Sequence, residues 1–329
     1  VRVFLIIVAG AVLLLVASLS ISVGTRAIAL TDVWTLLLRP DGSDAAAVIH
    51  DLRLPRTVLG ILAGAALGVA GALMQAITRN PLADPGLLGV NAGASLAMVV
   101  GFVALGTDTV LGQMWFAFAG AATAAVAVHL IGSGRRRGGP APVRTVLAGA
   151  AVSACLLATV QGVILLDPAA LDRFRFWAVG ALAGRESGVV AAVAVPILAG
   201  LLLALPLGRP LNAIVLGEGA GTSLGVSLAS TRLIAITAIT VLCGAATAAA
   251  GPIGFVGLAV PHLARAIVGP DQRWVLPYSM VLAPILLLCS DVLGRVIDRP
   301  AEIQVGVVCA FVGAPVLIAV ARRPRTAAL

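Results

Sequence analysis

Apart from its histidines, every basic side chain in this sequence is an arginine: there are 22, and no lysine. A P-loop sets a lysine against nucleotide phosphates. Any ATP chemistry the protein depends on therefore belongs to another chain. Arg53 and Arg56 bracket Pro55, whose ring fixes the backbone direction there. Arginine's planar fork suits paired contact with a carboxylate. The two read either as anchors reaching lipid head groups or as a docking point for a partner with surface acids. Arg295 and Arg299 hold a similar place later in the chain, and Asp291 and Arg295, four apart, share a helix face. Ionisable groups inside the apolar runs are otherwise scarce; His129 and the pair His262 and Arg265 lie near run ends. Ion-coupled carriers set such groups at membrane depth, which disfavours a self-contained secondary carrier. A membrane-embedded metal enzyme would need acidic clusters, and only Asp167 with Asp172 and Asp291 with Asp298 approach one. His262 has no second ligand at helical spacing, so no metal site is expected. Cys155, Cys243, Cys289 and Cys309 lie in or at the ends of apolar runs and read as buried structural thiols.

The elements that must position these residues are membrane helices. The chain is 60% hydrophobic and 11% charged, with a mean hydropathy of +1.10, against about 25% charged residues in a soluble domain. Aromatics at 4% with one tyrosine do not furnish the girdles of a barrel. The expected fold is an all-α polytopic membrane protein, a single transmembrane domain over 1–329. Candidate spans lie near 3–23, 57–77, 90–107, 112–132, 145–166, 189–206, 232–250, 253–268, 275–295 and 303–320. The first is longer than a signal-peptide core and reads as a retained span. The eighth is interrupted by Pro261 and His262.

Orientation follows from arginine placement. With both termini inside, the inner segments collect Arg79, the Arg135–Arg137 run, Arg144, Arg209, Arg273 and the tail arginines Arg322, Arg323 and Arg325. Their acids are only Asp84, Glu218 and Asp271. That is the positive-inside pattern, which also accounts for the net charge of +8 without nucleic acid. The long first outer loop, 24–56, contains a short amphipathic helix over Ile28–Leu38, capped by Thr31 or Asp32. The outer loop 167–188 carries Phe174, Arg175, Phe176 and Trp177.

Gly60, Gly64, Gly68 and Gly71 form a small-residue stripe for close helix packing. At an offset of 180 residues, Gly64–Gly71 aligns with Gly244–Gly251, Pro81 with Pro261 and Gly89 with Gly269, an inverted-repeat signature of transporters. The polar knot Thr78–Gly86 reads as an inner turn. The inner segment 207–231 carries apolar Leu211, Ile214, Val215 and Leu224, which suggest docking into a partner's groove.

Four ordered stretches carry a resemblance across almost the whole chain. They are RLPR followed by GAALGVAGALMQAITRNPLADPGLLGVNAGAS, LNAIVLGEGAGTSLGV at 211–226, GPIGFVGLAVPHLAR at 251–265, and DVLGR with AEIQVGVVCAFVGAPVLI at 291–318. Together they resemble the iron–siderophore/cobalamin (FecCD-type) ABC importer permeases. The resemblance implies ten spans in a type II importer arrangement, a second permease (identical or homologous), two cytoplasmic ATPase subunits holding ATP and Mg, and an extracytoplasmic substrate-binding protein. No cofactor is implied in this chain, which is a transport subunit of the bacterial inner membrane and not an enzyme. It implies that Arg53, Arg56 and Arg295 meet acids of the binding protein, and that Leu216, Gly217, Glu218, Ala220, Leu224 and Gly225 rest on the ATPase. Spans five and ten line the pathway. The implied substrate is a ferric siderophore, with haem or cobalamin as the alternative. Two departures stand out: Gln304 where the family often has proline, and Gly219 and Gly221 where bulkier residues are common.

Overall fold

The computed structural model describes residues 1–24, 28–106, 109–133, 142–215, 217–223 and 225–321. The Arg135–Arg137 run, the tail arginines, Leu216 and Leu224 lie outside the described residues. The helices in chain order are α1 (Arg2–Ser22), α2 (Leu30–Leu38), α3 (Asp44–Ala47), α4 (Leu54–Thr78), α5 (Val90–Leu105), α6 (Val110–Ser133), α7 (Pro142–Leu166), α8 (Pro168–Ala178), α9 (Ser187–Ala204), α10 (Gly208–Val215), α11 (Glu218–Ser223), α12 (Leu228–Ala250), α13 (Val256–Val268), α14 (Gln272–Ile297) and α15 (Val305–Ala321). A π-helical turn, Val48–Arg53, leads into α4, and a 3-10 turn, Pro85–Leu88, precedes α5. Among the described residues the chain is all-α.

Each apolar run of the sequence became a helix. Among the described residues seven are long and apolar enough to cross a membrane, while α5, α13 and α15 are shorter. At 13 residues α13 rises only about 20 Å, short of the ~30 Å hydrocarbon core. Gly251 to Phe255 hold no helix, and Phe255 takes a left-handed φ of 67°. The weak eighth segment is thus a half-length helix behind an unwound stretch. The amphipathic element is present as α2, but its cap is Ala29 without a side-chain bond, rather than Thr31 or Asp32.

At the centre stands α4, buried on nearly every face and packed against α14, α12, α13 and α9. Its glycine stripe makes this possible. A Cβ on Gly64 would lie 2.6 Å from the Pro284 Cα, and one on Gly71 would lie 1.8 Å from the Gly257 oxygen. The stripe is therefore the contact face toward α14 and then α13. By contrast, α1 exposes Val3, Phe4, Ile7, Leu14 and Leu15, and α15 exposes Phe311 and Ile318. Apolar surface so continuous belongs against lipid or another apolar chain.

The 180-residue offset carries Gly89 onto Gly269, each closing a helix at positive φ, but its other landmarks match less well. Gly71 sits inside α4 while Gly251 closes α12, and Pro81 lies in a turn while Pro261 lies inside α13. Cys243 and Cys309 are buried, Cys289 is half-buried, and Cys155 is exposed.

Candidate functional site

Two polar constellations sit at opposite ends of the long helices. The first gathers the three arginines singled out in the sequence. The last carbonyls of a helix have no partner within it and form its negative end. In α1 these acceptors go to arginine. Arg53 donates through Nη1 to the carbonyls of Ile21 (2.7 Å) and Ser22 (2.8 Å). Arg295 donates through Nη1 to Ser20 (2.8 Å) and Val23 (2.7 Å). Its Nη2 donates to the Ser20 hydroxyl at 2.8 Å and to Asp291 Oδ2 at 2.6 Å. The chain leaving α1 runs tightly over this cap, for a Cβ on Gly24 would fall 2.6 Å from Arg53 Nη2.

Arg56 points elsewhere, although only three residues from Arg53. It grips Asp291 with Nε at 3.0 Å and Nη2 at 2.8 Å, and donates Nη1 to Glu302 at 2.7 Å. Asp291, 1% exposed, is therefore shared between Arg56 and Arg295. The cluster ties the C-terminus of α1, the start of α4, the end of α14 and the segment before α15 into one unit.

Of the three arginines expected to meet a partner's acids, two lie inside this chain. Arg53 is 7% and Arg295 2% exposed, because the orphan carbonyls of α1 draw their guanidinium groups inward. Arg56 retains an exposed edge. The i,i+4 spacing of Asp291 and Arg295 was readable; Glu302, 246 residues from Arg56, had no sequence signal.

The second constellation centres on α10 and α11. Leu211 and Ile214 are fully buried within the chain's own core, with α10 laid against α14 and α4. This corrects the reading of these side chains as partner-docking residues: the amphipathic helix turns its apolar face to its own bundle. Asn212 pins it in place, donating to Asp271 Oδ1 at 2.6 Å and accepting the Gln272 backbone N–H at 2.8 Å. Asp271 caps α14 and also accepts from Arg273. Arg273, then Asn212, hold its carboxyl well below the usual carboxylate range.

Two left-handed glycines, Gly217 at φ 113° and Gly225 at φ 77°, bracket α11. Gly219, Thr222, Ser223 and Gly225 are exposed there. Gly221 is packed, since a Cβ would meet Leu228 Cδ2 at 3.0 Å, whereas Gly219 faces open space. Glu218 and Ala220 lie on the backbone of α11.

The knot Thr78–Gly86 is a built turn. Arg79 closes α4 in the left-handed region at φ 49°. Asp84 accepts from Gly86 N at 2.8 Å, and His262 bonds the Pro81 carbonyl at 2.8 Å. Burial raises the Asp84 carboxyl. Of the acids weighed for metal chemistry, Asp167 caps α8 and Asp172 pairs with Arg175. The segment read as the loop 167–188 contains α8. Its signal was present in Asp167-Pro168, a capping acid followed by proline at the first helical position.

The sequence model of the FecCD transport family matches residues 12–323. The ferric enterobactin transport system permease protein FepD of Escherichia coli (strain K12) is 48% identical over 320 residues, 97% of this chain and 95% of that protein. The Fe(3+)-citrate import system permease protein YfmD of Bacillus subtilis (strain 168) is 40% identical over 98% of this chain and 96% of its own length. Among solved structures, a metal-chelate type ABC transporter in an inward-facing conformation superposes with a TM-score of 0.85 at 24% identity. It covers 98% of this chain and 100% of its own, a likeness in fold.

Proposed function

This chain belongs to the FecCD transport family, and from that premise we propose that it is the permease subunit of an ATP-driven importer of a ferric siderophore. One observation carries the reading: 48% identity to a ferric enterobactin permease across nearly the full length of both proteins. The chain crosses the bacterial inner membrane several times, with both termini on the cytoplasmic side. It forms no bond and breaks none.

ATP and Mg are held by two separate ATPase subunits, in keeping with a sequence that has no lysine. Those subunits press on α10 and α11, the contact taking in Leu216, Gly217, Glu218, Ala220, Leu224 and Gly225 of the sequence. Asn212 and Asp271 couple α10 to the start of α14. With 26 residues, α14 is about 39 Å long and ends at the Asp291–Arg295 cluster. A push at one end is thereby delivered to the other. The binding protein docks at that far end, where Arg56 keeps an exposed edge; Arg53 and Arg295 hold the platform beneath it. A second permease covers the exposed face of α15. Transport follows from differential stability of inward- and outward-open states.

The test is radio-iron uptake in cells lacking this chain, supplied separately with a ferric siderophore, ferric citrate, haem and cobalamin. Loss of siderophore uptake alone supports the reading. Loss confined to haem or cobalamin reassigns the substrate. Uptake that survives removal of the ATPase and collapses with an uncoupler replaces the importer with a secondary carrier.

A further inference from the structure

The short helix α2 has a wider apolar arc than the protein covers. Val33 is fully buried, and Leu36 and Leu37 pack beside it in a cluster with Ile21 of α1, Ile49 of the π-helical turn and Leu54. His50 fixes the helix from that side, donating through Nε2 to the Leu36 carbonyl at 3.0 Å. Trp34 and Leu38 are four apart and so neighbours on the helix surface. They adjoin the buried face, yet are 54% and 78% exposed. Asp32 and Thr35, with Arg39 just past the helix, are exposed and polar. The depth of α2 follows from α1. With 21 residues, α1 rises about 32 Å, a match for the ~30 Å hydrocarbon core. Its last carbonyls, capped by Arg53 and Arg295, therefore lie at the edge of that core. Ile21, which shares a buried cluster with Val33, is in the last turn of α1, so α2 sits at the same level. It packs on α1, α3 and the π-helical turn. Since α1 itself exposes Leu14 and Leu15, α2 stands at the rim of the bundle.

We propose that α2 lies in the bilayer interface, with Trp34 and Leu38 set into the boundary between acyl chains and head groups of a phospholipid leaflet. Asp32, Thr35 and Arg39 face water. An indole favours that depth, because its ring is apolar and its N–H is polar. A helix with one apolar and one polar face lies in the plane of the interface. The lipid-facing surface of α1 thus continues onto α2 and ends there. Lipid holds one flank of the helix, while Val33, Leu36, Leu37 and the His50 bond hold the other to the π-helical turn. That turn ends at Arg53, and α4 begins at the next residue. The bilayer therefore braces the entry to the central helix. This inference needs only that α1 spans the membrane, and is independent of cargo and energy source.

The test places the full chain in nanodiscs of phosphatidylcholine, either plain or brominated on the acyl chains close to the head group. Tryptophan fluorescence is excited selectively, and aqueous iodide is titrated in parallel. The chain has four tryptophans, so the signal of Trp34 is the difference between the parent and Trp34→Phe. Trp34→Tyr serves equally as the silent variant and keeps an aromatic ring with a polar tip. The expected difference signal is blue-shifted, quenched by the brominated lipid and shielded from iodide. A signal open to iodide and untouched by the brominated lipid overturns the proposal. So does a signal shielded from both, which assigns the face to a second copy of the chain. Hydrogen exchange gives a second readout. Trp34→Asp with Leu38→Asp should expel α2 from the interface and speed exchange across Leu30–Leu38 and Val48–Arg53. The same pair would change little on a face turned to water, so exchange equal to the parent's also overturns the proposal.

Discussion

Replacing Asp291 with asparagine tests the logic of the arginine cluster. The substitution keeps the shape and removes the charge. Asp291 is 1% exposed and receives hydrogen bonds from both Arg56 and Arg295. Arg295 is 2% exposed and, among the described residues, Asp291 is the carboxylate it pairs with; Arg56 keeps Glu302. Breaking a buried pair from one side costs about 3–5 kcal/mol because the other charge is stranded. With Arg56 still paired, the lower end applies, and Asp291→Asn should cost about 3 kcal/mol. Arg56→Met in the same background should recover part of that, giving a non-additive cycle with a coupling of about 1–3 kcal/mol. Reversible unfolding of the purified chain in mixed micelles, titrated with SDS, reads these differences. A loss under about 1 kcal/mol, or strict additivity in the cycle, would refute the claim that Asp291 holds the two arginines.

Other substitutions probe the packing and the α10–α11 end. Gly71→Ala would ordinarily help a helix by about 1 kcal/mol, but with a Gly257 oxygen 1.8 Å from its Cβ it should destabilise by about 1–3 kcal/mol. Gly10→Ala, in open space, should not, and matching unfolding midpoints for the two would contradict the α4–α13 contact. Gly217→Val and Gly225→Val force β-branched residues into left-handed backbone at about 1–3 kcal/mol each, and should leave ATP hydrolysis running with transport reduced. Gly219→Ala should couple normally, and equal coupling in all three would remove α11 from the proposed pathway. The Asp271 carboxyl is held down by Arg273 and Asn212. Its contribution to stability is therefore present above about pH 4 and lost as pH falls through the lower folded value. Asp271→Asn should flatten that acid limb in unfolding measured against pH, and superimposable curves would show that the carboxylate contributes nothing.

The helices were legible because membrane spans declare themselves by length and hydropathy. The glycine stripe of α4 was legible because small residues at helical spacing have few other uses. Side-chain direction at helix ends was not. Arg53 and Arg56 differ by three positions, yet one caps α1 and the other reaches Asp291. That split depends on where the carbonyls of a helix 32 residues earlier come to rest. Leu211 and Ile214 showed an apolar face, but a periodic pattern does not say whose core the face enters. The half-helix α13 was half visible, through Pro261.

The central claim is tested most directly by uptake into proteoliposomes. These would contain this chain with its partner permease and ATPase, with binding protein outside and a radio-iron tris-catecholate siderophore as cargo. The account predicts accumulation that requires internal ATP and external binding protein, and that survives collapse of the ion gradients. Accumulation without ATPase, driven by a proton gradient alone, would contradict it.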